Sequence, residues 1–213
     1  MYICNTYNFG HRHRFGITFE LHQEPELYCG RDLRGSVCFW VFAECIGDMA
    51  YGVPLSSDCW IELGKVVKNT ASHCCNEVIF HANAELILQV LETDIENEAD
   101  DIIKENCFGF VGTFDFWFGF KVTLELDIMS EYLILHFEHG DQARLIIAKL
   151  DENKEHYEFQ REHMLGVGEM KAVFQEAFDW LNERYEQEVS REAQIAQQCP
   201  CPPVHLSNDC SQP

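Results

Sequence analysis

The chain has 213 residues, 46% of them hydrophobic and 13% aromatic, and its 15 Lys+Arg against 36 Asp+Glu leave a formal net charge of -21. That is apolar material enough for one sizeable core, while the acidic excess excludes nucleic acid and anionic lipid as natural partners and favours a basic protein. No run approaches the roughly 20 consecutive apolar residues of a membrane-spanning helix, the stretch from Met1 to His13 is unlike a secretory signal, and 11 cysteines without framework spacing fit reduced thiols in a cytoplasmic protein.

From Phe15 the apolar residues Phe15, Ile17, Phe19 and Leu21 alternate with Gly16, Thr18, Glu20 and His22, the period of a strand buried on one face. After turn-forming residues around Pro25, Gly30 and Gly35, the run Val37 to Ala43 is apolar on both parities, as a strand covered on both sides requires. Ser56-Ser57-Asp58 then offers helix-capping side chains ahead of Trp60, Leu63, Val66 and Val67 at helical spacing. A second helix is predicted to start near Asn83, because Leu86, Ile87, Val90, Leu91 and Ile95 recur at steps of three and four. Its continuation to Lys104 is mostly acidic.

A long alternating strand is predicted from Phe114 through Phe116, Phe118, Phe120, Val122 and Leu124 to Leu126. Tyr132 to Phe137 and Ala143 to Leu150 form an antiparallel pair around Glu138-His139-Gly140-Asp141, and a less regular strand covers His156 to Arg161. The last element is a helix from about Glu169, with Met170, Val173, Phe174, Ala177, Phe178, Leu181 and Tyr185 in one apolar stripe. The fold class is therefore α+β, a mainly antiparallel sheet of about five or six strands packed with a long C-terminal helix and one or two middle helices. Residues 1–193 are expected to form a single domain, and 194–213, with its Cys and Pro residues, a disordered tail.

Chemical signatures are weak. Gly109, Gly112 and Gly119 lie among phenylalanines and lack the lysine of a phosphate loop, and neither Ser36 nor Ser130 sits in a nucleophile elbow. His73-Cys74-Cys75 with His81, and Cys199, Cys201, His205 and Cys210, contain zinc-type ligands, but core thiols and an unstructured tail account for them, so no metal site, catalytic residue or cofactor is expected. His11-Arg12-His13-Arg14 is too short for a nucleic-acid patch within so acidic a chain and reads as a solvated strand edge.

The acidic segment Glu92, Asp94, Glu96, Glu98, Asp100 and Asp101 is read either as a solvated face or as a docking surface for a lysine- and arginine-rich protein. Asp115, Trp117, Glu125 and Asp127, on the polar side of the Phe114 strand, form a second candidate surface in which a tryptophan lies among carboxylates. The competing reading of Trp117 is a side chain covered by the neighbouring helix.

In layout the chain resembles the immunity protein 42 family of bacterial polymorphic toxin systems. The residues that carry the likeness are Arg14-Phe15-Gly16-Ile17-Thr18-Phe19-Glu20, a Gly35-led strand ending in Ile46-Gly47-Asp48, a leucine-bearing helix from Leu55 to Val67, Arg144 in the second strand of a hairpin, and Gly168-Glu169 opening the last helix. The resemblance covers residues 12 to 185. His11-Arg12-His13 stands where a Gly-Asp-Pro opening is typical, and the cysteine-rich tail is an addition. What the resemblance implies is a cytoplasmic, non-enzymatic protein that neutralises a cognate toxin domain by tight stoichiometric binding. An acidic surface would suit a nuclease toxin, whose basic groove is the thing to block. The alternatives are an acidic regulatory or scaffold module and, after it, a zinc-dependent or Cys/His enzyme.

Overall fold

Alternation from Phe15 to Leu21 yields the central strand of the first sheet. In a computed structural model that describes residues 5–21, 33–50, 52–69, 73–92, 120–153 and 155–198, β2 (Phe15–Leu21) buries Phe15, Ile17 and Phe19 completely. On one side it pairs antiparallel with β1 (Asn5–Gly10), Phe9 opposite Ile17, and on the other with β3 (Arg34–Val41), Phe19 opposite Val37. The chain then doubles back through Phe42 and Ala43 into β4 (Glu44–Ile46), while β5 (Val53–Pro54) pairs with the start of β3. Gly35 opens β3 for a steric reason. A β-carbon there would collide with the Glu20 carbonyl oxygen and the Leu55 side chain.

The second sheet is an antiparallel meander of β6 (Tyr132–His139), β7 (Gln142–Leu150) and β8 (Tyr157–Gly166), turning at Gly140 with φ 62°. Residues of β7 are buried on both parities because both faces are covered: Ala143, Leu145 and Ile147 face one core, Ile146 and Ala148 another. The β7–β8 ladder carries a register shift between Ile147 and Ala148, with Gln160 as the extra residue on β8. The expected α+β architecture stands, and among the described residues its strands divide between two sheets, one of five strands and one of three.

Of the strand expected over Phe114 to Leu126, residues 114–119 lie outside the described residues. Beyond them Phe120, Val122, Leu124 and Leu126 are buried and Glu125 and Asp127 exposed, as the alternation requires, whereas Thr123, on the side expected to be polar, is buried. Pairing is minimal, however. Lys121 alone bridges to Leu135, and the Thr123 hydroxyl, not a backbone carbonyl, accepts the Ile134 N–H at 2.7 Å.

Helix α1 (Trp60–Asn69) is entered through a wide π-type turn over Leu55–Cys59. Ser56, expected to cap the helix, is buried inside that turn and accepts the Leu33 N–H instead. The short α2 (Glu77–Phe80) is capped by Asn76, and α3 (Ala84–Glu92) by Asn83, whose side chain accepts the Leu86 N–H at 3.1 Å. The last helix, α4 (Glu169–Gln198), continues past Ala193 into the segment expected as tail, of which 199–213 lie outside the described residues. No helix among the described residues is long and apolar enough to cross a membrane.

Two cores result. The larger joins the inner face of the five-stranded sheet, α1, α4 and one face of the three-stranded sheet, with Phe174 of α4 set against Phe15 and Phe39 at ring distances of 5.5 and 5.4 Å. The smaller packs Ile79, Phe80, Ala84, Ile87 and Leu88 of α2 and α3 on the opposite face of the three-stranded sheet.

Candidate partner-binding surface

Ion pairs between distant segments clamp this body together. Arg144 on β7 is buried; its Nε and Nη2 donate to Glu162 Oε2 at 3.0 and 2.5 Å, and its Nη1 donates to the carbonyls of Phe80 and Ala82 at 2.8 and 2.6 Å. One guanidinium thus joins β7, β8 and the end of α2. Arg14, before β2, donates from Nε and Nη2 to the two carboxylate oxygens of Glu169 at 2.6 Å each, tying the first sheet to the start of α4. Those hydrogen bonds hold the Glu169 carboxyl below its ordinary range, and the Gly166 N–H adds to the effect. The chain can bend into α4 because Gly168, whose N–H donates to Glu138, has φ 75°.

Arg14, Gly35, Arg144 and Gly168-Glu169, which carried the sequence resemblance, are therefore occupied with architecture. Arg144 does line an open depression of about 450 Å³ with His81, Asn83, Glu85, Phe159 and Glu162. Its donors are already committed, so it has little to offer a ligand there.

The sequence-predicted docking residues divide by position. Asp94, Glu96, Glu98, Asp100, Asp101, Asp115 and Trp117 lie outside the described residues, and Glu92 is the last residue of α3. Glu125 and Asp127 are exposed. Glu125 stands 3.4 Å from Lys121, and its backbone N–H donates to Glu62, which also holds Lys65 at 2.5 Å, so charge around it is locally balanced.

A denser anionic strip lies on α4, where sequence reading had attended only to the apolar stripe. Glu176, Asp179, Glu183 and Glu186 are all exposed and recur at i, i+3, i+7 and i+10, which places them along one side of the helix. Neutral amides hold three of them: Gln175 donates to Asp179, Asn182 to Glu186 and Gln187 to Glu183. Their spacing was readable once the helix had been placed.

The Cys and His residues are arranged for packing. His73 and His136 are buried with their Nδ1 atoms 2.7 Å apart, whereas Cys74 and His81 are exposed. Burial, helped by His73, pushes the His136 imidazole down to about 3 and keeps it neutral. Burial likewise raises the thiols of Cys38 and Cys59, and that of Cys75 to about 11, the opposite of an activated thiolate. Among the described residues no three His, Cys, Asp or Glu side chains converge as a cation would require.

The profile of the family described as immunity protein 42 matches residues 1–180. The chain belongs to the immunity protein 42 family. Its fold is similar to that in a crystal structure of CdiI from Burkholderia dolosa AUO158, with a TM-score of 0.53 at 15% identity over 81% of this chain and 99% of that one. No curated protein matches the chain. Membership gives the immunity protein a toxin-neutralising role, and for such a role the surface matters more than any cavity.

Proposed function

We propose that this immunity protein binds a cognate toxin in the cytoplasm of the cell that makes both, one molecule to one, and blocks it without catalysis. The family match over residues 1–180 carries the reading. A basic toxin, such as a nuclease with a phosphate-binding groove, fits the net charge of -21 and the α4 strip of Glu176, Asp179, Glu183 and Glu186. Glu92, Asp94, Glu96, Glu98, Asp100, Asp101, Asp115, Trp117, Glu125 and Asp127 are proposed to extend that contact. Long-range attraction of this kind raises the association rate and weakens as salt rises, with a screening length of about 10 Å at 0.1 M.

Co-expression with the toxin domain encoded beside its gene tests the proposal. Survival of cells that carry both, and death of those that carry the toxin alone, is the expected result. Death in both cases, with the immunity protein soluble and folded, would remove the reading.

A further inference from the structure

The outer face of the five-stranded sheet holds an arginine, Arg12, that meets no carboxylate among the described residues. Arg14, Arg144 and Arg161 each meet a carboxylate, respectively Glu169, Glu162 and Glu44. Among the described residues Arg12 does not, although acidic residues of the chain outnumber basic ones 36 to 15. Its Nη2 donates to Asn8 Oδ1 at 2.8 Å, and its guanidinium lies over the Trp40 ring at 4.5 Å. Among the described residues most of the five N–H donors of that guanidinium are therefore unused.

The pair is also held still. Asn8 Oδ1 accepts a second hydrogen bond from Thr18 Oγ1 at 2.7 Å, and Thr18 Oγ1 accepts one from Trp40 Nε1 at 2.8 Å. This chain crosses β1, β2 and β3 and ends on an exposed arginine and a half-buried tryptophan, residue types that dominate the energetics of protein interfaces. Side chains fixed before binding lose less freedom on binding.

Beside them the β3–β4 turn is strained. Phe42 and Ala43 have φ 49° and 72°, a left-handed geometry that hairpins normally give to Asn-Gly. The Phe42 N–H donates to the Arg14 carbonyl at 2.9 Å and the Ala43 N–H to the Arg12 carbonyl at 2.6 Å, so the two turns form one unit. Phe42 is 36% exposed and stacks on His163 at 4.0 Å. A bulky aromatic ring is thus held part-exposed at the surface, fixed from below by its stack on His163.

We propose that this end of the sheet anchors an acidic side chain of the toxin, with Arg12 receiving the carboxylate and Trp40 and Phe42 flanking it. The inference rests on the immunity reading and adds the contact that fixes the orientation of the bound toxin. A continuous polyanion such as DNA would be repelled by the surrounding acidic field. A single carboxylate on an otherwise basic protein is not, because its neighbours are attracted by that field while it meets Arg12. The carboxylates govern encounter, and Arg12 with its aromatic neighbours governs release.

The test uses the full chain and the toxin encoded beside its gene, with association and dissociation rates measured separately. Arg12→Ala is expected to speed dissociation about tenfold or more while association stays within about twofold, and Phe42→Ala to act in the same direction. Arg12→Lys should recover only part of the loss, because an ammonium group lacks both the planar fork and the ring stacking. Circular dichroism melting should be unchanged for Arg12→Ala. Dissociation at the wild-type rate in both alanine variants would overturn the inference and leave the immunity reading intact; no binding by the unaltered protein would remove both. Displacement of the toxin by duplex DNA in an Arg12-dependent manner would reassign the surface to nucleic acid.

Discussion

The two sheets use the same pairing rules to opposite ends. The three-stranded sheet is covered on both faces, by α2 and α3 on one side and the main core on the other, and its one buried arginine, Arg144, has its donors taken up by Glu162 and two carbonyls. The five-stranded sheet packs α4 against its inner face and leaves on its outer face an ordered polar network that ends at Arg12 and Trp40. An arginine whose donors are saturated within the chain supports the fold. One that is held in place and meets no anion among the described residues is the one proposed to serve a partner.

Disruption of the shared core should have the largest effect and should not discriminate between the sheets. Phe174→Ala removes a fully buried ring from between Phe15 and Phe39, and guanidinium denaturation should show a loss of about 3–5 kcal/mol. Arg144→Ala comes next. It strips the Phe80 and Ala82 carbonyls of their donor but leaves Glu162 half exposed to water, and should cost about 2–4 kcal/mol. Toxin affinity measured on the folded fraction should stay the same, which sharpens the contrast with Arg12.

Acid should weaken the three-stranded side through His136. Its pKa is pushed down from 6.5 to about 3 in the folded protein, so between those values the unfolded chain binds more protons. Stability therefore falls as pH drops from about 6.5 toward 3. His136→Gln, which keeps a polar partner for His73, should flatten the slope of denaturation free energy against pH in that window. An unchanged slope would show that other groups control it.

Smaller effects belong to the turns. Ala43→Gly relieves a left-handed residue and should stabilise the fold by about 1 kcal/mol, seen as a higher melting temperature. Arg14→Ala should have the smallest effect, a melting temperature close to that of the unaltered protein, because its pair with Glu169 is exposed and screened by solvent.

What could be read from the sequence was what local periodicity determines. β2, β3, the β6–β7 hairpin, the start of α3 at Asn83 and the apolar stripe of α4 all follow from spacing within single segments. β1 escaped notice because, as an edge strand, it buries only Phe9 among exposed Asn5, Thr6, Asn8 and Gly10. β4 is too short to show a period, and its turn lacks the Asn-Gly signature. The division into two sheets depends on which strands pair at long range, and periodicity says nothing about that.

The candidate surface was legible in sign more than in place. Exposure of Glu125 and Asp127 follows from alternation, and the α4 strip follows from helical spacing on the side away from the apolar residues. The Arg12 network could not be foreseen, because Asn8, Thr18 and Trp40 meet only once β1, β2 and β3 lie side by side. In sequence, His11-Arg12-His13-Arg14 is only a short basic run. The structure splits it into an arginine committed to Glu169 and one that is not.

The most direct measurement is a titration of the purified toxin's activity with this protein. Inhibition by binding predicts that activity falls in a straight line and reaches its floor at one equivalent, with the inhibited mixture containing a one-to-one complex. Activity that continues to decline with time at a small fraction of an equivalent, or that is unaffected by an excess, would contradict the account.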